Sequence, residues 1–171
     1  MDTQLLSKEE EQRYAELQLM AVDMARCGDT AELEKMILSG LPINLRDSKG
    51  NSLLMLAAYN SHTETTVMLL KHGADVDLRN DHGQTPLGGV AFKGNSTLVS
   101  LLLEAGADIN ADNGGGKTPL MFAAMFGHQE VVRHLLDQGA DPNSQTVLGI
   151  SAQSLAKFTG AFRSLGSLFS K

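Results

Sequence analysis

Residues 83–94 read GQTPLGGVAFKG and residues 116–127 read GKTPLMFAAMFG, two versions of one pattern set 33 residues apart. The same step runs along the chain. Gly50, Gly83, Gly116 and Gly149 keep it, as do Ser52, Thr85, Thr118 and Ser151. Gly28, Ser61, Gly94, Gly127 and Gly160 form a third ladder, and Gly40, Gly73, Gly106 and Gly139 a fourth. Parallel ladders in one register mark an internal repeat, in which each unit buries its apolar face only by stacking on the next.

Each version of the pattern predicts a local structure. Thr85-Pro86 and Thr118-Pro119 read as helix starts, with Thr as N-cap and Pro at the first helical position, where its missing N–H is not needed. Ala91, Ala123 and Ala124 let this first helix approach its neighbour closely, and Gly94 or Gly127 permits a left-handed turn at its end. Val131, Val132, Leu135 and Leu136 then fall on one face of a second helix. Gly106 or Gly139 closes it, and Ala-Asp-x-Asn leads into an extended finger tipped by polar residues and Gly, as in 110–116.

The text is also familiar. The Gly-x-Thr-Pro-Leu openings at 83–87 and 116–120 recur with the Ala57-Ala58 and Ala123-Ala124 pairs and Gly127-His128. Gly-Ala-Asp-x-Asp/Asn closes units at 73–77, 106–110 and 139–143. These stretches resemble the ankyrin repeat over residues 14–171, most closely over 47–145. The resemblance implies an all-α ankyrin-repeat solenoid of about five helix-turn-helix units with β-hairpin-like finger loops. The units are 14–46, 47–79, 80–112, 113–145 and 146–171, after a lead-in at 1–13. The unaccompanied stack is similar to small bacterial ankyrin proteins.

The ends and the middle depart from the pattern. Ser7 and Glu10 are spaced as a capping box, and Leu17, Met20, Ala21 and Met24 follow at helical spacing. Asp29 and Glu32 precede Leu33, Ile37 and Leu38 in the same way. Phe158, Phe162, Leu165 and Phe169 are expected to form the last apolar face. The family's His after Thr-Pro-Leu is absent, with Met55, Gly88, Met121 and Ser154 in its place. Gly88-Gly89 inside a first helix costs ~1 kcal/mol per Gly against Ala. The reading favoured for this pair is drift in a redundant scaffold, over a soft centre that adjusts to a partner.

Composition narrows the functional classes. Hydrophobic residues make up 42% of the 171, enough for a core, while aromatics are 5% and Trp is absent. The net charge is −6, and no basic stripe suggests nucleic acid. Acids crowd the start and none follows Asp141, whereas Lys157, Arg163 and Lys171 remain. Cys27 is alone, no secretory signal is seen, and no apolar run is long enough to span a bilayer. The expectation is a cytoplasmic protein that binds neither membrane nor nucleic acid.

No chemistry or cofactor is expected. Gly114-Gly-Gly-Lys-Thr118 resembles the end of a phosphate loop, but the Gly required five residues before Gly116 is Ala111. Nucleotide binding through Lys117 and Thr118 is therefore the alternative, not the leading reading. His62, His72, His82, His128 and His134 form no metal-binding motif, and Cys27 has no thiol partner. His62 and His128 fall at a repeat position and are expected to be structural.

The surface is more informative. The resemblance implies a concave face built from first helices and finger tips. Arg26, Tyr59, Phe92, Met125 and Phe158 share one repeat position near the end of the first helix, and Cys27, Asn60, Lys93, Phe126 and Thr159 the next. Stacking would align Tyr59, Phe92, Met125 and Phe158 into a stripe that Phe126 widens. Such residues are enriched at interface hot spots and adaptable surfaces; packing between repeats would also explain them. The tips add Arg79, Asp81, His82, Asp112 and Lys117. The expected function is a non-catalytic protein–protein interaction module, an adaptor, inhibitor or regulator, with the partner on Tyr59, Phe92, Lys93, Met125, Phe126, Phe158 and those tip residues. A monomer is expected. Leu148, Ile150, Phe162, Leu168 and Phe169 leave a homodimer or a homo-oligomeric structural role as a further alternative.

Overall fold

The computed structural model describes residues 7–158, and of Phe158 the backbone alone. Phe162, Leu165, Leu168 and Phe169 of the expected apolar cap lie outside the described residues, as does the side chain of Phe158. In chain order the helices are α1 (Lys8–Cys27), α2 (Thr30–Leu38), α3 (Leu53–Tyr59), α4 (Thr63–Lys71), α5 (Pro86–Lys93), α6 (Ser96–Glu104), α7 (Pro119–Met125), α8 (Gln129–Asp137) and α9 (Ala152–Phe158). They stack in pairs. First helices pack in series, α1 on α3, α3 on α5, α5 on α7 and α7 on α9, and α2, α4, α6 and α8 pack behind α1, α3, α5 and α7. The chain is an all-α solenoid of stacked helix pairs.

The two helix rows differ because their sequences do. In α3, Leu53 through Ala58 are all buried, and in α7, Pro119 through Ala124 are. A helix apolar on every side belongs inside, so the first helices form the central layer. The second helices are amphipathic: α8 buries Val131, Val132 and Leu135 and turns Glu130 and Arg133 outward. Ala57, Ala91, Ala123 and Ala124 are fully buried at the α3–α5–α7 contacts, where small side chains bring the backbones together.

The expected caps form. Ser52, Thr85 and Thr118 hydroxyls accept from the N–H of Met55, Gly88 and Met121. Ser7 and Glu10 make the reciprocal capping box, which starts α1 at Lys8. Half of the apolar face expected for α1 forms. Ala21 is buried with Val22 and Ala25, and Met24 packs against the core, while Leu17 and Met20 are exposed. The reason is that α1 outruns its seven-residue neighbour α3, so its early turns meet solvent. Leu38 is likewise exposed at the end of α2.

A second histidine-based ladder ties the pairs together. His62 Nε2 lies 2.9 Å from the Arg26 carbonyl, and His128 Nε2 2.8 Å from that of Phe92. Each imidazole fits because the residue beneath it is Gly. A Cβ at Gly28 or Gly94 would sit 2.4 Å from the ring Nδ1 of His62 or His128. Between them the pair is changed on both sides: Asn95 replaces His and Ser61 replaces Gly, with Asn95 Nδ2 donating to Ser61 Oγ at 3.3 Å. Ser61 keeps the positive φ of its glycine equivalents, at 65°.

Candidate functional site

Fingers project from the first-helix row, and one device shapes them. Asp47 Oδ1 accepts from the N–H groups of Lys49 and Asn51, both at 2.9 Å. Asn80 Oδ1 does the same for His82 and Gln84, and Thr146 Oγ1 for Leu148 and Ile150. These three residues share one repeat position, and each finger is therefore held from its base. The fourth member of that ladder, Asn113, behaves differently.

In the 112–117 finger the holding carboxylate is one residue earlier. Asp112 Oδ1 accepts from Gly114 N–H at 2.9 Å and Gly116 N–H at 2.7 Å. Gly114, Gly115 and Gly116 all have positive φ (94°, 70° and 77°), which three successive side-chain-bearing residues would not adopt. The shift releases Asn113 to turn into the stack, where it is 2% exposed. Its Oδ1 accepts from the N–H and hydroxyl of Thr85 at 2.8 and 3.1 Å, and its Nδ2 donates to the Ala111 carbonyl. Gly88 makes the room: a Cβ there would lie 1.9 Å from Asn113 Oδ1. Gly88 therefore has a structural partner. It stands where the family has His, and the absent side chain is answered by Asn113 from the next unit.

This geometry also accounts for Gly114-Gly-Gly-Lys-Thr118. Amides that would cradle a phosphate are bonded to the chain's own Asp112 carboxylate, and Thr118 is buried as the N-cap of the seven-residue α7. The tract is a reshaped finger.

Of the expected partner-binding residues, Tyr59, Phe92 and Phe126 come together. Tyr59 and Phe92 stack with centroids 6.3 Å apart, and Phe126 meets Phe92 edge-on at 4.4 Å. Phe122, buried in α7, supports Phe92 edge-on from beneath. Lys93 Nζ sits 5.2 Å from the Tyr59 ring centre, within cation–π range. Tyr59 is 40% and Phe126 48% exposed, so the cluster is packed at its centre and open at its edges. Met125 is half-buried and lines a neighbouring groove with Lys117 and Phe122.

The charged tip residues divide. Arg79 donates to the Asp112 carbonyl, Asp81 accepts from Arg46 at 3.3 Å, and Asp112 holds its own finger. Arg79 and Asp81 thus brace one finger against another, while the Asp112 carboxylate works within its own. Arg46 also donates to the Arg79 carbonyl, and Arg26 pairs with Asp47 at 3.1 Å. Asp47 is held below the ordinary aspartate range. Burial opposes this, but bonds from Asn51, Lys49 and Arg26 together outweigh it. His82 and Lys117 remain exposed beside the grooves. Cys27 is exposed at the end of α1.

Asn113 was missed as a contributor to this face, and Gly88 and Gly89 were singled out without it. Asn113 shares a ladder with Asp47 and Asn80, which was a usable signal. Its inward turn depends on Asp112 taking over the finger, and spacing alone does not reveal that.

The geometry thus defines a class: a stacked helix-pair repeat protein with braced fingers and an aromatic face. The family model for ankyrin repeats, written as three copies, matches residues 20–113 and 90–146. The chain belongs to the ankyrin repeat family, whose repeats serve as protein–protein interaction modules. It is 54% identical over 43 residues to the ankyrin repeat protein PA3287 of Pseudomonas aeruginosa, a match covering 25% of each chain. The chain therefore aligns with about a quarter of that relative's length. Among the described residues, no helix is long and apolar enough to cross a membrane.

Proposed function

We propose that the protein is a non-catalytic adaptor, inhibitor or regulator that docks one protein partner on its finger and first-helix face. The observation that supports this most is the aromatic cluster of Tyr59, Phe92 and Phe126. It joins three successive units, and two of its rings keep two-fifths or more of their surface in water. Large rings held rigid by packing and left open at one edge are suited to interface hot spots, because little side-chain entropy is lost on binding. The braced fingers beside them keep the face in one shape.

Affinity capture with the native chain and with a Phe92→Ala, Phe126→Ala double variant tests this. The expected result is a partner retained by the native chain and lost by a variant that still folds. Recovery of the same partner by both would contradict the proposal.

A further inference from the structure

The inference rests on that reading of the face and adds the chemistry of what docks there. Helix α5 lacks side chains that its neighbours carry. Gly89 is in register with Leu56 of α3 and Phe122 of α7, and Gly88 with Met55 and Met121. All four of those neighbours are buried, so the flanking units fill a layer that α5 leaves open. The result is a cavity of about 300 Å³ over Gly88 and Gly89, walled by Tyr59, Phe92 and Phe122. Gly88 is explained by Asn113. Gly89 has no such explanation: an added Cβ would meet only Tyr59 Cδ2, at 3.3 Å, on a ring at the rim.

The charged side chain lining this cavity is a lysine. Lys49 lines it, no carboxylate does, and Lys93 stands over the Tyr59 ring. The arginines beside the first finger are paired, Arg26 at the end of α1 with Asp47 and Arg46 with Asp81. Among the described residues, no carboxylate lies within ion-pair distance of Lys49 or Lys93. A positive rim on a chain of net charge −6 runs against the average of the molecule. The size is at the low end for ligand clefts and fits one large side chain.

We propose that this cavity receives a single large apolar side chain from an extended acidic segment of the protein partner. The carboxylates flanking that side chain meet Lys49 and Lys93. Apolar burial supplies the anchor, and the charge complementarity sets which segments are accepted.

The test uses short synthetic peptides with Trp, Phe, Leu or Ala at the centre and Asp/Glu, Ser or Lys on both sides. Fluorescence anisotropy measures binding to the full chain, and amide shifts of Gly88 and Gly89 report the site in the unmutated protein. Acidic peptides centred on Trp, Phe or Leu should bind about tenfold or more tighter than the Ala or Lys-flanked forms. They should move both glycine amides. Gly89→Leu, which copies Leu56, should keep the fold and abolish binding. Lys49→Glu with Lys93→Glu should reverse the flank preference. Binding of basic or neutral peptides at the same glycines would overturn the chemistry and leave the docking face standing. Peptide binding that leaves the glycine amides unmoved, or no binding by any peptide, would overturn this inference, while affinity capture judges the face itself. If capture is unaffected by the aromatic double variant, the face fails too.

Discussion

Two adjacent glycines in α5 should respond oppositely to the same substitution. Helix propensity alone favours Ala over Gly at both positions by up to ~1 kcal/mol. At Gly89 that gain should appear largely intact, since the new methyl meets only a rim ring. At Gly88 the methyl would lie 1.9 Å from Asn113 Oδ1, so Asn113 must leave. Its departure strips the acceptor from the N–H and hydroxyl of buried Thr85. An unsatisfied buried donor costs ~1–3 kcal/mol, which outweighs the propensity gain. Gly88→Ala should therefore destabilise by ~1–2 kcal/mol and Gly89→Ala should stabilise by ~0.5–1 kcal/mol. In an Asn113→Ala background the clash is gone, and Gly88→Ala should turn mildly stabilising, giving a coupling of ~2 kcal/mol. Urea or thermal unfolding of the four members of this cycle, with Gly89→Ala beside them, measures it. If Gly88→Ala stabilises the native background as much as Gly89→Ala, the account of Asn113 is wrong.

Other outcomes follow from single contacts. Asp77 stands in register with Asn44 and Asn110, and each accepts from the N–H of the next unit's closing Asp. Its pKa is raised, first by burial and then by the Asp108 and Asp75 carboxylates, against the Asp108 N–H bond and Arg79. A raised carboxyl means the fold loses stability as pH rises through that value, so Asp77→Asn should gain ~0.5 kcal/mol at neutral pH, fading below pH ~4. Unfolding midpoints across pH read this directly. Asp47 has the opposite sign: its contribution is present at neutral pH and is lost as pH falls from the ordinary aspartate range toward its lower folded value. Ser61→Gly should stabilise by ~0.5–1 kcal/mol, because Ser61 holds a left-handed φ of 65° for only an exposed bond to Asn95. Calorimetric titration with ATP and Mg²⁺ should show no saturable heat, since Asp112 already occupies the Gly114 and Gly116 amides.

The ladders of Gly, Ser and Thr made the solenoid legible because they mark backbone needs: caps, left-handed turns and hairpin tips recur wherever the geometry does. Tyr59 and Phe92 were legible for the same reason, as one repeat position seen twice. What periodicity concealed was compensation between units. Gly88 looks like damage until Asn113 is seen filling its place, and Asn113 looks like a finger residue until Asp112 takes over that work. Arg79 and Asp81 show the converse, since charge at a tip says nothing about whether a neighbouring finger engages it. Leu17 and Met20 of α1 were misjudged because amphipathic spacing assumes a neighbour along the whole helix, and α3 is too short to supply one.

The central claim is that a protein partner docks on the finger and first-helix face. A photo-crosslinking amino acid at Phe126, on that face, and at Arg133, exposed on the opposite helix row, tests it most directly in the native host. The account predicts one discrete crosslinked protein from position 126 and none from 133. The same product from 133, or products from 133 alone, would contradict it.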